Sequence, residues 1–370
     1  MYDFPPFADE FGPLNVSYLH EPSVGLKAVL VIDNVAAGPS IGGVRMAPDV
    51  SAEEAFRLAR AMTLKNAAAD LSHGGGKAVI YADPKMDRQE KEQLIRCFAS
   101  AIAHCYGYIP GPDMGTDEMC MAWMKDEIGR AVGLPREIGG IPLDEIGATG
   151  FGLSCCVDVA LKYCDLELDG ARLVVQGFGS VGRHAARFLQ DKGVKLIGAS
   201  DSQGAIHDPE GLDIEKLVKL KHEGKSVAGY QDGERLNRDG VIDIPCDIWV
   251  PAARPDVIHE DNVHRLQTRL VVEGANIPFT EGAEKILHQL GVLVVPDFIA
   301  NAGGVICAAV EYHQGSQHDA FQAIEEKIRA NTGEVLREAA GKNMPPRQAA
   351  VALSIRRLKT AMECKRWALF

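Results

Sequence analysis

The sequence predicts an α/β protein of two domains: an N-terminal α/β domain, then a doubly wound parallel-sheet domain, with an interdomain cleft. Three observations carry that prediction. The chain has 370 residues, and at about 150 residues per domain this is room for two. From residue 144 onward, short apolar strand-like runs alternate with helical ones, as a parallel sheet with crossover helices requires. One of those strand–helix junctions holds Gly177-Phe178-Gly179-Ser180-Val181-Gly182, a spacing of glycines suited to a tight turn opening a helix.

Taken in order, the first expected element is a strand over Leu26–Ile32, a run rich in Val, Leu and Ile. Gly42-Gly43 reads as a turn. Ser51 precedes Glu53 and Glu54, a helix start with acids well placed in the first turn, and Phe56, Leu58, Ala59 and Met62 keep helical spacing toward Ala69. Gly74-Gly75-Gly76 breaks that helix, Lys77–Tyr81 reads as a strand, and Asp87 to Cys105 as a second helix. In the second domain, strands are expected at Arg172–Gln176, Lys195–Ser200, Asp247–Pro251, Leu270–Glu273 and Val292–Val295. Pro345-Pro346 marks a break before a last helix, Arg347–Met362. That helix follows the completed second domain, so it is expected to pack back on the first. The domains are therefore 1–143 plus 346–370, and 144–345, with two chain crossings at a hinge beside the cleft.

Composition excludes several function classes. The net charge is -12, against nucleic acid and against an anionic membrane surface, both of which attract basic patches. No apolar run approaches the ~20 residues of a membrane helix. The 9 cysteines are an odd number with no C-x-x-C pair, which fits buried thiols in a reducing compartment rather than a disulfide framework. Met1–Pro6 has no basic segment and begins no apolar core, so no signal peptide is expected. The 11 histidines show no zinc-like grouping, and no metal site is expected. A soluble, cytoplasmic protein is the expectation.

The glycine loop follows the apolar strand Leu173-Val174-Val175 and opens a helix at His184–Leu189. In that context Gly177, Phe178, Gly179, Ser180, Val181 and Gly182 are the fingerprint of a Rossmann dinucleotide site, in which the glycines allow close approach of a pyrophosphate to the helix start. Asp201 ends the next strand at the right distance to accept hydrogen bonds from adenosine ribose hydroxyls and to repel a 2′-phosphate. NAD is therefore the expected cofactor. NADP stays open, because Ser202 and Arg183 soften the discrimination. The alternative for Asp201 is a turn cap with Ser202, Gln203 and Gly204.

Two lysines stand out in the first domain. Lys65 lies near the end of an otherwise apolar helix face, and Lys77 follows three glycines that let backbone and substrate come close. Burial and a second nearby cation both lower an ammonium pKa, producing a neutral base near pH 7. Asp113 sits in the Pro110-Gly111-Pro112-Asp113-Met114-Gly115 loop. A solvated lysine and a turn aspartate are the plain alternatives.

With these residues in view, the chain resembles the Glu/Leu/Phe/Val dehydrogenase family of amino-acid dehydrogenases. The resemblance runs through Gly42-Gly43-Val44-Arg45-Met46, Met62–Ala67, Gly74–Lys77, Asp113-Met114-Gly115-Thr116, Ala148-Thr149-Gly150, the dinucleotide loop, Glu273-Gly274-Ala275-Asn276 and Asn301-Ala302-Gly303-Gly304-Val305. It implies reversible oxidative deamination of an L-amino acid to a 2-oxo acid and ammonia, by a homo-oligomer. It further implies that Lys77 activates the water that attacks an imine, that Lys65 binds the substrate α-carboxylate, and that Asp113 shuttles a proton to the amine. Thr149 and Asn276 resemble residues that hold the nicotinamide carboxamide and ribose, and Asn301 resembles one that lines the cleft. Gly42 and Gly43 belong to the same substrate site.

Where glutamate enzymes of this family place a lysine before the Gly-Gly pair, this chain has Ile41. Where they place a serine three residues past the valine of Asn-Ala-Gly-Gly-Val, it has Ala308. Leaving a second carboxylate unpaired there would be costly, so Ile41, Met62, Val305 and Ala308 point to an apolar side chain such as Leu, Val, Ile or Phe. Other stretches, Asp117–Met124 among them, look closer to glutamate enzymes. Arg57, Arg60 or Arg254 is a candidate cation for a glutamate substrate. A non-catalytic dinucleotide-binding regulator is the alternative from another class.

Overall fold

The computed structural model describes residues 7–364; Met1–Pro6, read above for a signal peptide, lies outside them. The chain divides into two compact units. The first runs to Pro142 and includes Val305–Ala320 and the chain from Leu353; the second is Leu143–Gly304 with Phe321–Ala352. Segment 305–320, which the sequence reading leaves in the second domain, thus clusters with the first. The buried Glu311 carboxylate ties it there, accepting the backbone N–H groups of Leu134 at 3.1 Å and Ile141 at 2.7 Å.

The first unit contains β1 (Asn15–Glu21), β2 (Leu26–Asn34), β3 (Ser40–Ala47), α1 (Ala52–Ala68), β4 (Gly74–Tyr81), α2 (Arg88–Ala101), β5 (Tyr108–Pro112) and α3 (Glu118–Ile128). Its five strands form one sheet in the order β1-β2-β4-β3-β5. The pairs of β3 with β4 and β5 are parallel, the others antiparallel. Alternate residues face opposite sides: Val29, Val31 and Val79 pack on Phe56 and Ala59 of α1, while Leu30, Val44 and Ile80 pack on Ile95 and Phe98 of α2 and on Met121 and Met124 of α3. Ser51 caps α1 by accepting the Glu54 N–H, satisfying one orphan donor of the helix start. Prolines 110 and 112 are tolerated in β5 because it is an edge strand.

Two glycine readings need correction. Gly42-Gly43 is no turn but the middle of β3, and Gly74–Gly76 is the start of β4. The reason is crowding. A Cβ on Gly75 would lie 2.0 Å from the Thr63 nitrogen of α1, and one on Gly42 would lie 1.7 Å from the Gly76 carbonyl oxygen. These glycines make room for neighbouring backbone rather than bending their own.

The second unit contains α4 (Ala148–Cys164), β6 (Arg172–Gln176), α5 (Ser180–Gln190), β7 (Lys195–Ser200), β8 (Ala205–His207), α6 (Ile214–His222), β9 (Glu234–Leu236), β10 (Ile248–Pro251), β11 (Leu270–Val272), α7 (Glu281–Gln289), β12 (Leu293–Val295) and α8 (Asp297–Ala300). Three further helices are α9 (Gly303–Tyr312), α10 (Gln317–Lys342) and α11 (Pro346–Cys364). The sheet order is β12-β11-β10-β6-β7-β8-β9. The five strands from β12 to β7 are parallel, and the short β8 and β9 add an antiparallel edge that the sequence reading lacks. Chain order reverses between β6 and β10, the point where an open α/β sheet offers a crevice at its carboxyl ends. Among the described residues, no helix is long and apolar enough to cross a membrane.

Helix α11 has two attachments. Arg347 in its first turn is held by acids of the second unit. Further on, the Arg357 guanidinium donates to the Ala68 carbonyl at 2.7 Å, capping the last turn of α1 in the first unit.

Candidate functional site

In the first unit the site begins at β3, which lies between β4 and β5. Lys77 is on β4 and Asp113 directly follows β5, so the two flank Gly43. A Cβ on Gly43 would lie 2.7 Å from Asp113 Cβ and 3.1 Å from Lys77 Nζ. The absent side chain is the space in which lysine and aspartate meet. Lys77 Nζ donates to Asp113 Oδ2, and Arg45 Nε donates to the same oxygen at 3.3 Å. Arg45 also pairs with Glu54 in the first turn of α1. The loop is held by the Asp113 N–H, which donates to Thr116 Oγ1 at 3.0 Å, and by the Met114 N–H, which donates to Asp113 Oδ1 at 2.7 Å.

Lys77 is only 6% exposed. Burial lowers its ammonium pKa, the Asp113 carboxylate opposes this, and the Arg45 cation reinforces it, for a net shift below the usual lysine range. Burial alone would raise Asp113, but Lys77 and Arg45 more than offset that and hold it below the usual carboxylate range. The pair thus combines a lysine that gives up its proton more easily than normal with a carboxylate that stays charged.

Lys65 and Met62 lie on α1, both half-buried. The next residue, Asn66, is fully buried and donates to the Gly74 carbonyl at 2.6 Å, fastening the Lys65 turn to the strand that carries Lys77. Ile41 is buried on β3, and Tyr108 donates its hydroxyl to the Gly42 carbonyl at 2.8 Å. Val305, half-buried, and Ala308, buried, belong to the segment that clusters with this unit. Arg60 is already engaged: Nε lies 2.8 Å from Asp33 Oδ2 and Nη1 lies 2.6 Å from Asp9 Oδ2.

In the second unit the glycine loop joins β6 to α5. Gly177 has φ +95°, and a Cβ there would come within 2.8 Å of Ala253; a Cβ on Gly182 would lie 2.2 Å from the Gly177 oxygen. A Cβ on Gly179 would meet nothing within 4 Å, so this glycine faces open space. Gly179 is also the N-cap of α5 and makes no side-chain cap, which leaves the first N–H groups of the helix available to an anion. Beside it is a cavity of about 510 Å³ lined by Gln176, Gly179, Asp201, Lys221 and Arg254, among others. Gln176 Oε1 is buried with no hydrogen-bond partner among the described residues. Glycine cradle, uncapped helix start, cavity and unsatisfied acceptor together fit a dinucleotide.

Asp201 is more heavily bonded than the sequence reading supposes. Its carboxylate accepts from Gln203 N at 2.9 Å, Ser226 Oγ at 2.8 Å, Lys221 Nζ at 2.7 Å and Val227 N at 3.0 Å. Burial would raise its pKa, but Lys221 and the backbone donors bring it down to about 2. It therefore anchors the 226–227 turn while bordering the cavity.

Thr149, Asn276 and Asn301 also fall in the second unit. Asn301 Nδ2 donates to Asn276 Oδ1 at 3.0 Å and to the Ala275 carbonyl at 3.3 Å. A Cβ on Gly304 would lie 3.3 Å from Thr149 Oγ1, so the turn after Asn301 runs beside the start of α4. The sequence reading assigns no part in the site to Arg45, Glu54, Gln176 or Lys221. Arg45 was detectable: two residues past Gly43 on a strand, it must share the face that receives Asp113.

The chain matches the family model Glutamate/Leucine/Phenylalanine/Valine dehydrogenase over residues 139–366, and the model Glu/Leu/Phe/Val dehydrogenase, dimerisation domain, over residues 16–130. It is 38% identical over 358 residues to a glutamate dehydrogenase of Aeropyrum pernix, covering 90% of this chain and 85% of that protein. An NAD-specific glutamate dehydrogenase of Staphylococcus aureus is 36% identical over 354 residues, with 90% and 85% covered. The fold is similar to the crystal structure of a hetero-hexameric glutamate dehydrogenase from Thermus thermophilus in its Leu-bound form, with TM-score 0.84 at 29% identity, over 96% of this chain and 91% of that one.

Proposed function

Given that the chain belongs to the Glutamate/Leucine/Phenylalanine/Valine dehydrogenase family, we propose that it oxidises an apolar L-amino acid with NAD, releasing the 2-oxo acid and ammonia. At the level of class, it is an NAD(P)-dependent amino-acid dehydrogenase acting on CH–NH2 donors. The observation that carries the reading is the Lys77–Asp113 contact in the space left by Gly43.

Lys65 pairs with the substrate α-carboxylate and so fixes Cα. Asp113 takes a proton from the substrate ammonium, because only a neutral amine can push out hydride. The chemistry supplied by the bound dinucleotide is acceptance of that hydride from Cα, which leaves the substrate as an iminium. Neutral Lys77 then deprotonates a water that attacks the iminium carbon to give a carbinolamine; Asp113 returns its proton to nitrogen and, as the C–N bond breaks and the carbonyl forms, takes up the hydroxyl proton. Gly177, Gly179 and Gly182 would hold the pyrophosphate with the N–H groups of Ser180 and Val181, and Thr149, Asn276 and Asn301 the nicotinamide half. Phe178, fully buried under the loop, sets its shape. The ionised Asp201 favours NAD over NADP.

Ile41, Met62, Val305 and Ala308 offer a side-chain carboxylate no pairing group. Arg60 is consumed by Asp9 and Asp33, and Arg254 borders the dinucleotide cavity. These observations support an apolar substrate. The relatives named glutamate dehydrogenase favour glutamate as the second reading. NADH formation with a panel of L-amino acids, on wild type and Lys77→Ala, decides between them. Fast glutamate turnover with none of leucine, valine or phenylalanine overturns the apolar assignment. No turnover with NAD still bound favours a regulatory protein. The match to a dimerisation domain supports self-association, which light scattering would measure.

A further inference from the structure

Four charged side chains from separate parts of the chain meet inside the second unit. Glu273 directly follows β11 and is fully buried, Glu284 is on α7, Asp297 opens α8, and Arg347 lies in the first turn of α11. The single guanidinium reaches all three acids: Nη2 is 2.7 Å from Glu273 Oε2, Nε is 2.5 Å from Glu284 Oε1, and Nη1 is 2.9 Å from Asp297 Oδ1. Its Cζ lies over the Phe298 ring, 5.7 Å from the centroid.

The acids in turn hold backbone. Asp297 N donates to Glu273 Oε2 at 2.9 Å, and Ile277 N donates to Asp297 Oδ2 at 2.9 Å. Two turns are fastened in this way, 273–277 and 297–301. They carry Asn276 and Asn301, which bond to each other at 3.0 Å. Burying three carboxylates around one cation is expensive. Burial pushes Glu273 well above the usual carboxylate range and raises Glu284 as well, so both hold a proton more tightly than a solvated carboxyl does. An apolar cluster would fill the same space more cheaply, but it would lack the directional bonds that set two turns in register.

We propose that Arg347 is a positioning residue for the nicotinamide end of the dinucleotide: its grip on Glu273, Glu284 and Asp297 holds the 273–277 and 297–301 turns in the shape that presents Asn276 and Asn301. This rests on the reading that those asparagines meet the nicotinamide half. Arg347 acts through the turns and takes no part in the chemistry. Lysine cannot replace it, because an ammonium on a flexible stem lacks the planar fork that spans three acids.

The test compares NADH with ADP, which shares the adenosine and pyrophosphate but lacks the nicotinamide riboside. Dissociation constants are measured by NADH fluorescence and by calorimetry with ADP, on wild type, Asn276→Ala, Arg347→Lys and Arg347→Met. If the receptive turn geometry falls to about a tenth of the population in Arg347→Lys, NADH binding weakens about tenfold, while ADP binding stays within about twofold. Asn276→Ala is expected to show the same selective loss. NADH binding left intact by Asn276→Ala overturns the asparagine reading. A selective loss in Asn276→Ala, with Arg347→Lys either unchanged or weakened equally for both ligands, overturns the positioning role alone. Arg347→Met, which strands three acids without a cation, is judged only where circular dichroism shows it folded; Arg347→Lys decides otherwise.

Discussion

Replacing Gly43 with alanine puts a methyl group where the structure has 2.7 Å to Asp113 Cβ and 3.1 Å to Lys77 Nζ. Carbon atoms in ordinary contact sit about 3.5–4.0 Å apart, so roughly 1 Å must be found. β3 cannot readily supply it, because Gly43 is paired across to Gly111 of β5 and the strand is enclosed between β4 and β5. The end of Lys77 can swing aside, whereas Asp113 moves only with a loop that Thr116 holds. The lysine–aspartate contact therefore opens by about 1 Å, and a displacement of that size costs on the order of 10²-fold in kcat/KM. Overpacking adds a stability loss of about 1–3 kcal/mol. The assay is steady-state NADH formation alongside a thermal melt and a titration with NADH. Dinucleotide affinity should be unchanged, since the glycine loop belongs to the other unit. Wild-type kcat/KM with an unchanged melt would refute the claim that Gly43 makes the room for catalysis.

Three further outcomes follow from the electrostatics. Arg45→Met removes a cation that depresses Lys77; the lysine then deprotonates at higher pH, and the rising limb of the kcat/KM profile moves alkaline, so an unmoved limb contradicts the assigned base. Asp201→Ser removes an anion and releases Lys221. It should improve kcat/KM for NADP relative to NAD by about tenfold or more, the worth of one hydrogen bond to a charged group. Glu273→Gln tests the trapped proton: the folded pKa of Glu273 lies above its unfolded value, so between the two the native state holds the extra proton and stability falls as pH rises. Chemical denaturation from pH about 5 to 8 should give a shallower decline in the variant, with Glu284 accounting for the rest; parallel slopes would mean Glu273 is ionised in the folded protein.

Two of the parallel strands, β6 and β7, were readable to the residue, because Arg172–Gln176 and Lys195–Ser200 are apolar runs with clear turn signals on both sides. Around Gly42, Gly43 and Gly74–Gly76 the reading failed, since a glycine that yields space to a neighbouring strand looks the same as one that turns the chain. β5 was hidden by its prolines, and β8 and β9 by their length of three residues. Lys65, Lys77 and Asp113 were each visible as candidates. That Lys77 and Asp113 touch depends on a strand order, β4-β3-β5, which no local pattern encodes. The Arg347 cluster was out of reach for the same reason: Arg347 bonds Glu273 from 74 residues away.

The Arg357 cap on α1 has a consequence for biosynthesis. The unit holding Lys65, Lys77 and Asp113 is assembled from three stretches, and the last of these begins at Leu353. A nascent chain emerging from the ribosome can close the sheet around β6 long before it can cap the Lys65 helix. Until residue 357 is translated, the carbonyls of Ala67 and Ala68 lack their guanidinium. The sheet around β6 is thus free to pair first, while both sites wait for the final helix: Arg347 for the turns of Asn276 and Asn301, Arg357 for the helix of Lys65.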